Sequence, residues 1–304
     1  MGSPRPGATL VLGGSGFLGA HVVVSIGPDA VSASREAGPV DPARFVRLDA
    51  RKPGDLERVL AEVAPARVVD CAAYSSVGEA EANPEIARQL NVDVPRKLAQ
   101  WCARSGARLV HVSTDLVFGA REPGNGGFRE EDPPGPVSEY GRSKAAGEVA
   151  VLEEFPEALV VRLPLMYGES LGRGRGASDS LLAAIQRGDR PVVFSDEWRT
   201  PLEVGNAARA LAELVARDER GILHVAGPDR VSRYEFALVV LEVKRPFRTP
   251  PTDLVTAGTR AASRQSSRPA DVSLDTTRAR ALLATPLLGV RAGVRSVYGG
   301  ESTS

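Results

Sequence analysis

Two side chains that can move a proton lie four residues apart near the middle of the sequence. Tyr140 and Lys144 fall within Ser138–Lys144, where a helical pattern begins, and a spacing of four puts them on one face of the helix. A free phenol has a pKa of about 10 and is a poor acid–base catalyst at neutral pH. A neighbouring ammonium favours the phenolate and lowers that pKa, so the tyrosine can exchange a proton with a substrate oxygen. The spacing therefore predicts an acid–base pair.

The composition makes this spacing informative. The chain has five tyrosines and four lysines among 304 residues. The number of Tyr-x-x-x-Lys matches expected by chance in such a chain is roughly 0.07. Thr114 supplies a third polar group, because it lies in His-Val-Ser-Thr-Asp-Leu-Val-Phe-Gly at the end of a predicted strand. Parallel sheets bind ligands at that end of their strands. We expect Thr114 to bond the same substrate oxygen as Tyr140; local backbone bonding is the alternative.

A glycine pattern near the start of the chain predicts a dinucleotide site. Gly13, Gly16 and Gly19 follow the apolar run Leu10–Leu12 and open an amphipathic segment. In a strand–turn–helix unit such glycines permit a tight turn, close approach of a pyrophosphate, and close helix–sheet packing. A plain glycine-rich turn is the alternative reading.

The next strand bears on which dinucleotide binds. An acidic residue usually binds the ribose of NAD about 20 positions after the glycines. Here the strand ends in Ser34-Arg35, and an arginine can pair with the 2′-phosphate of NADP. Glu36 beside it weakens that case, and a solvated surface arginine remains the alternative. We expect NADP(H) to be preferred over NAD(H).

The elements that must position these residues alternate between short apolar runs and helical patterns. The continuously apolar runs are typical of strands buried on both faces of a parallel sheet, and the βαβα order predicts a doubly wound α/β (Rossmann) fold. We expect a dinucleotide-binding domain at 1–165 with about 191–228, and a smaller, interleaved substrate-binding cap at 166–190 and 229–304. The predicted strands of the first half are Ala8–Leu12, Ala30–Ser34, Phe45–Leu48, Arg67–Cys71, Arg108–Ser113 and Leu159–Leu163. The predicted helices there are Phe17–Ser25, Gly54–Val63, Pro84–Arg104 and Ser138–Glu154.

Composition excludes several classes of protein. Lys plus Arg and Asp plus Glu both total 38, giving a formal net charge of zero, which argues against nucleic-acid and membrane-surface binding. The sequence has no apolar run long enough to span a bilayer and no signal-peptide pattern. Cys71 and Cys102 indicate buried thiols in a reduced compartment, and the three histidines lack metal-ligand spacing. We expect a cytoplasmic protein without a metal.

At this point the motifs resemble those of a known family. The chain is similar to the extended short-chain dehydrogenase/reductases, and within them to the dTDP-4-dehydrorhamnose reductase-like group. The similarity is spread over nearly the whole chain. The segments that carry it are Gly13–Gly19, Cys71–Tyr74, Asn91-Val92, Ser113–Gly119, Tyr140–Lys144, Val161–Pro164, Tyr167-Gly168, Gly221–Gly227, Arg268-Pro269 and Leu274–Thr276.

The resemblance implies roles for individual residues. Thr114, Tyr140 and Lys144 would form the catalytic triad, and Lys144 would also bond the nicotinamide ribose. Asp49 would contact adenine, although it could instead cap a helix. The other implied cofactor contacts are Gly13, Gly16, Phe17, Leu18, Gly19, Ala72, Ala73 and Pro164.

The resemblance also implies the reaction. We expect an NAD(P)H-dependent reductase of a nucleotide-linked 4-keto-6-deoxy sugar, with Tyr140 as general acid. Dehydratases of the superfamily carry Thr-Asp-Glu where this chain has Thr114-Asp115-Leu116, and leucine cannot transfer the proton that dehydration needs. The alternatives are a sugar-nucleotide epimerase with tightly bound NAD and a non-catalytic regulatory or binding subunit of the same fold. A homodimer is possible.

A nucleotide diphosphate needs cationic partners, and arginine binds phosphate oxygens bidentately. The candidates in the less regular second half are Arg173, Arg175, Arg199, Arg264 and Arg268. Any one of them is individually more typical of a solvated surface residue. The Gly- and Pro-rich loop Ala120–Val137 precedes Tyr140, where it would either close over the sugar or serve as a mobile connection.

Overall fold

The computed structural model describes residues 5–38, 45–171, 176–244, 249–262 and 268–299. The strands are β1 Arg5–Leu12, β2 Ala30–Ser34, β3 Phe45–Arg47, β4 Pro65–Asp70, β5 Arg108–Thr114, β6 Leu159–Leu163, β7 Met166–Tyr167, β8 Val192–Phe194, β9 Trp198–Arg199, β10 Leu202–Glu203, β11 Gly221–His224, β12 Val231–Ser232 and β13 Thr256–Gly258. The helices are α1 Phe17–Ile26, α2 Asp55–Val63, α3 Val77–Ala82, α4 Pro84–Arg88, α5 Val94–Ser105, α6 Glu139–Glu154, α7 Ala177–Gln186, α8 Val204–Val215, α9 Arg233–Val243, α10 Pro251–Leu254, α11 Thr277–Leu282 and α12 Val290–Tyr298.

Seven of these strands form one sheet in the order β11-β6-β5-β4-β1-β2-β3. Every neighbouring pair runs parallel. The chain leaves β1 toward one edge through β2 and β3, and then returns beside β1 with β4 before building the other half. This reversal of strand order between β1 and β4 is where doubly wound sheets form their ligand crevice. The predicted α/β doubly wound fold is confirmed.

The apolar runs form strands because both faces of the sheet are covered. Leu10 and Leu12 pack into a core cluster on one face with α2 and α5. Val11 points the opposite way, as successive strand residues must, and packs into a second cluster with α1 and α8. All three side chains are fully buried, which explains why the run is apolar without alternation.

A smaller region is built from the second half of the chain. Its core holds side chains from α7, α9 and α12, and two-stranded pairings β7–β10, β9–β12 and β8–β13 border it. The proposed domain boundaries remain a prediction, and two contacts cross them. β8 pairs with β13 rather than with the large sheet, and Ala279, Leu283 and Leu287 pack into the core of the large sheet.

The prediction of one continuous helix over Pro84–Arg104 is wrong in the middle of that range. The structure interrupts it with a π-helical segment, Gln89–Asp93, between α4 and α5. Pro95 lies in the first turn of α5, where its missing N–H is tolerated. Within the described residues, none of the helices has the length and apolar character needed to cross a membrane.

Candidate functional site

The predicted glycines meet the loop after β4 at the strand-order reversal. Gly13 has a φ of 71°, a conformation that glycine adopts without strain. A Cβ on Gly13 would lie 3.0 Å from the Cα of Ala72, and a Cβ on Gly19 would lie 2.2 Å from the carbonyl oxygen of Gly13. The turn therefore has room for backbone alone, and it brings Gly13 against Ala72.

Helix α1 begins directly behind this turn. Gly16 precedes it and has no side chain to cap it, and the first intrahelical bond runs from the Ala20 N–H to the Gly16 carbonyl at 3.1 Å. The N–H groups of the first turn thus remain available to an anion, and the helix dipole favours negative charge there. Leu18 is 7% exposed and belongs to the core, while Phe17 packs edge-on to His21. Leu18 can therefore serve a cofactor only through its backbone.

Charged groups gather at the ends of β2 and β3. Arg35 is exposed there, whereas the Ser34 hydroxyl donates to a backbone carbonyl two residues on at 2.9 Å. The Asp49 carboxylate accepts two hydrogen bonds from the Arg51 guanidinium, at 2.9 and 2.8 Å. These bonds lower the pKa of Asp49 to about 2, and the charge of Arg35 contributes. Asp49 is not a helix cap, because its own N–H donates to Asp55 in the first turn of α2.

Arg51 is a cation that the sequence patterns did not single out. Its guanidinium is 45% exposed beside Asp49, and the charge of Arg35 acts on the same carboxylate. The signal in the sequence is weak, because Arg51 lies in a loop with no recognisable motif. The other expected cofactor contacts sit around the crevice: Ala73 is exposed after β4, and Pro164 is buried after β6.

Helix α6, which carries Tyr140 and Lys144, is pressed closely onto its neighbours. The Ser138 hydroxyl caps its start by accepting from the Gly141 N–H at 3.1 Å. A Cβ on Gly141 would lie 2.2 Å from the carbonyl oxygen of Leu116, and a Cβ on Gly147 would lie 2.1 Å from that of Asn91. These two glycines let the helix approach the segment after β5 and the π-helical segment, which sets the depth of Tyr140 and Lys144.

Tyr140 lies beside Thr114 and Asp115. The Thr114 hydroxyl donates to a carboxylate oxygen of Asp115 at 3.1 Å. Burial and the Asp115 charge raise the pKa of Tyr140 to about 12, against a hydrogen bond with Thr114 that lowers it. The expected lowering by Lys144 is therefore wrong for this structure, since burial and a carboxylate dominate. The phenol is protonated at neutral pH, as a free phenol also is, and its raised pKa makes it a weaker acid than a free phenol.

Lys144 faces the sheet rather than the phenol. It is 1% exposed, and its ammonium donates to the Val112 carbonyl at 2.8 Å and lies 3.2 Å from Nε2 of His111. Nδ1 of His111 is 2.8 Å from the Asp70 carboxylate. Burial lowers the pKa of Lys144, while the charges of Asp70 and Glu148 raise it.

Arg199 is fully engaged with buried acids. It is 5% exposed, donates to Glu197 at 2.9 Å, and its Nε lies 3.9 Å from Oδ2 of Asp115. Burial raises the pKa of Asp115 to about 6, and the charge of Arg199 opposes this. Two carboxylates thus balance Arg199, so this residue organises the substrate end more than it offers a free charge.

Arg233 and Arg268 complete this end, and Arg199, Arg233 and Arg268 are called the arginine cluster below. Arg268 is 3.2 Å from Glu197 and lies over the Phe194 ring. Burial lowers the pKa of Arg233; Glu197 opposes this, and the other two arginines add to it. Arg233 was missed in the sequence because only the chain fold brings the start of α9 here.

A cleft with a volume of about 240 Å³ opens beside the arginine cluster. Its lining residues are Val77, Gly78, Glu81, Leu116, Ser138, Glu197, Arg199, Arg268 and Pro269. Leu116 and Ser138 are each two residues along the chain from Thr114 and Tyr140, so the cleft opens beside the segments that carry these two side chains. The predicted substrate residues Arg173 and Arg175, and also Arg264, lie outside the described residues.

The loop Ala120–Val137 is anchored rather than a mobile connection. Phe128 is fully buried and stacks on Phe118 with ring centres 4.0 Å apart. Glu130 is 8% exposed and accepts a hydrogen bond from the backbone of His224. The loop thereby fixes the entry into α6 and the position of Tyr140.

Comparisons with known proteins agree with this architecture. A family model described as "RmlD substrate binding domain" matches residues 7–300. The dTDP-4-dehydrorhamnose reductase of Mycobacterium tuberculosis is 37% identical over 238 residues, covering 77% of this chain and 74% of that protein. The methionine adenosyltransferase 2 subunit beta of Bos taurus is 32% identical over 244 residues, covering 77% of this chain and 71% of that protein.

A solved structure gives the same fold. The dTDP-4-dehydrorhamnose reductase of Bacillus anthracis in complex with NADP superposes with a TM-score of 0.80 at 22% identity, covering 97% of this chain and 99% of that one. The match over nearly the whole chain extends the similarity beyond the glycine turn, which many families share. The chain belongs to the RmlD substrate-binding-domain family, that of the dTDP-4-dehydrorhamnose reductases among the extended short-chain dehydrogenase/reductases.

Proposed function

We propose that the protein is an NADPH-dependent reductase that converts the ketone of a nucleotide-linked 4-keto-6-deoxy sugar into an alcohol. The observation that carries this proposal is the position of the Tyr140 phenol beside the Thr114 hydroxyl, at the carboxyl end of β5. Ketone reduction consumes a proton at the carbonyl oxygen, so it needs an acid held in its protonated form. The Tyr140 phenol is in that form at neutral pH.

In the proposed reaction each catalytic residue has a separate task. Bound NADPH would supply the hydride that reduces the ketone carbon. Tyr140 donates its proton to the ketone oxygen, and the Thr114 hydroxyl orients that oxygen. The Lys144 ammonium, held from the sheet side by the Val112 carbonyl, would bind the nicotinamide ribose. General acid help of this kind is typically worth about 10²–10⁴ in rate.

The residues of the crevice fit a phosphorylated dinucleotide. The glycine turn and the N-terminus of α1 form a cradle that a single added Cβ would fill, which suits a diphosphate. Arg35 and Arg51 at the ends of β2 and β3 would hold the 2′-phosphate, and this is the reason to prefer NADPH over NADH. The NADP complex of the Bacillus anthracis relative supports that preference.

The substrate side favours an anionic nucleotide sugar. Arg199 and Arg268 line the cleft, and the buried Arg233 lies near both of them and near Glu197 and Asp115. Three guanidinium groups at this end suit a diphosphate. Leu116 lines the same cleft and cannot transfer a proton, which disfavours dehydration. The name of the Mycobacterium tuberculosis relative supports a 4-keto-6-deoxy sugar as the substrate class.

The proposal is tested by following NADPH absorbance after adding a dTDP-4-keto-6-deoxy sugar, with NADH in parallel. We expect steady oxidation that is faster with NADPH. Substituting Arg35→Gln should lower the NADPH-to-NADH ratio by about 10-fold, whereas Arg88→Gln, an exposed arginine paired with Asp93, should leave it unchanged.

The similarity to the methionine adenosyltransferase subunit favours a second candidate, a non-catalytic dinucleotide-binding subunit. In that case NADPH binds and no keto sugar is reduced. Release of tightly bound NAD on denaturation, with sugar interconversion but no net cofactor oxidation, would indicate an epimerase instead. Either result contradicts the reductase and leaves the family assignment intact.

A further inference from the structure

A buried acid–histidine pair lies under the catalytic lysine and has no task in the reaction proposed above. Asp70 ends β4, and His111 lies directly opposite it in the pairing of β4 with β5. Both side chains are 0% exposed, with Nδ1 of the histidine 2.8 Å from Oδ2 of the aspartate. A buried charged group needs a partner, and the only cation within hydrogen-bonding reach of this pair among the described residues is Lys144.

The hydrogen-bond chemistry fixes the protonation of the histidine. An ammonium has three donors and no acceptor, so Nε2 of His111, 3.2 Å from Nζ of Lys144, must accept. The ring proton then sits on Nδ1 and is donated to Asp70. A second donor of Lys144 goes to the Val112 carbonyl, which leaves the third for a ligand.

We propose that Asp70 and His111 are positioning residues that keep Lys144 charged and hold it with one N–H directed at the crevice. This inference rests on the proposed function for the role of Lys144 toward the cofactor, but the charge arrangement itself does not. Asp70 also accepts from the Ala72 N–H at 3.2 Å through its other oxygen. One carboxylate therefore fixes both the lysine and the loop that lies against the glycine turn.

The surrounding charges assign this task to Asp70. The titratable groups facing Lys144 are His111, Asp70, Glu148 and Cys71. Glu148 is already paired with Arg162 at 2.7 Å and also accepts from Ser113, and burial raises the pKa of the Cys71 thiol, which keeps it neutral. Asp70 is thus the carboxylate whose charge balances the buried ammonium, and the neutral imidazole links the two.

The direct test is NMR titration of the lysines in purified protein, with ¹³C label at the carbon next to Nζ. The chain has only four lysines, so the Lys144 signal is assignable by its loss in Lys144→Met. Removing the Asp70 charge in Asp70→Asn, which keeps the side-chain volume, should shift the Lys144 titration to lower pH by about one unit or more. His111→Phe, which breaks the link, should shift it in the same direction.

His224→Phe is the matched control. His224 is likewise 0% exposed, and its ring bonds Arg162 and the Phe128 carbonyl at 3.2 and 3.0 Å. It should lose as much thermal stability as His111→Phe while the Lys144 titration and the NADPH dissociation constant stay at wild-type values. In Asp70→Asn and His111→Phe the dissociation constant should instead rise by about 10-fold, most strongly at alkaline pH.

Two results would overturn the inference. One is a Lys144 titration at the same pH in wild type, Asp70→Asn and His111→Phe. The other needs no variant: ¹⁵N-histidine spectra of the wild type at neutral pH that show His111 as an imidazolium or with its proton on Nε2. Both readouts are independent of turnover, so failure to reduce a keto sugar would count against the proposed function alone.

Discussion

The proposed cofactor side of the crevice is shaped by backbone, whereas the proposed substrate side is shaped by paired charges. The glycine turn, residues 13–19, is one continuous stretch, and a Cβ added to Gly13, Gly16 or Gly19 would meet backbone atoms. The substrate side instead combines Asp115 and Glu197 with the arginine cluster, from β9, α9 and three loops. The first side is specified by local spacing, and the second only by the complete fold.

This difference has a physical consequence. A binding site formed by closely packed backbone loses affinity when side-chain atoms are added, because the packed backbone cannot move aside. A cluster of buried charges is destabilised when one member is removed, because an opposite charge is then left without compensation. Substitutions on the two sides should therefore affect different measurements, and Tyr140 lies between them.

The largest effect should come from Tyr140→Phe, which removes the proton donor and keeps the ring. We expect turnover to fall about 10²–10⁴-fold, while the NADPH dissociation constant changes less than twofold. Tyr298→Phe is the matched control, since this hydroxyl donates to Ser178 in α7. Near-normal turnover of Tyr140→Phe in a steady-state assay would remove the phenol from the mechanism.

On the cofactor side, Gly19→Ala should be the most damaging conservative change. The new methyl carbon would lie 2.2 Å from the Gly13 carbonyl oxygen, so the turn must open. We expect the NADPH dissociation constant, measured by nucleotide fluorescence, to rise about 100-fold through a few kcal/mol of strain.

Gly124→Ala is the control for that prediction, because nothing lies within 4 Å of the position its Cβ would take. It should bind NADPH like the wild type. If Gly19→Ala bound NADPH equally well, the glycine turn would not be the diphosphate cradle. The claim that closely packed backbone shapes the cofactor side would then be wrong.

The contrast between the sides also explains what the sequence could reveal. Strand β1, the glycines behind it and the Tyr140–Lys144 spacing are local features, and each was located to within a few residues. The predicted strand Ala30–Ser34 matches β2 at both ends. Such patterns are legible because the physical constraint acts between near neighbours in the chain.

Other parts of the site depend on contacts that no spacing encodes. The partnership of Asp70 with His111 follows from the register of β4 and β5, 41 residues apart. Arg233 comes near Arg199 and Arg268 only because α9 starts there. The spacing of Tyr140 and Lys144 also could not predict that the pKa of Tyr140 is raised. Lys144 turns toward the sheet, and the charge that acts on the phenol is that of Asp115.

On the substrate side, Arg233→Gln should raise the KM for the nucleotide sugar about 10-fold, the value of one hydrogen bond to a charged group. The turnover number should change little, since Arg233 is expected to contact the diphosphate rather than the ketone. Arg230→Gln is the control: Arg230 lies three residues earlier, stacks on Trp198 and pairs with Asp271. Equal KM values for both variants would exclude Arg233 from diphosphate binding.

The smallest effect concerns the stability of the substrate side as a function of pH. The pKa of Asp115 is raised from 3.8 to about 6 by burial, so the folded state holds this proton more tightly than the unfolded state. Its contribution to stability is therefore complete below pH 3.8 and is lost as the pH rises through about 6. Asp115→Asn cannot titrate and does not lose this contribution.

The stability of Asp115→Asn relative to wild type should thus improve by about 1 kcal/mol between pH 5 and pH 8, measured by chemical denaturation at both values. Taking the difference between the two pH values cancels the pH-independent cost of removing a partner from Arg199. A relative stability that stayed constant would mean that Asp115 is ionised at pH 5. Arg199 would then balance the buried carboxylate more completely than its 3.9 Å separation indicates.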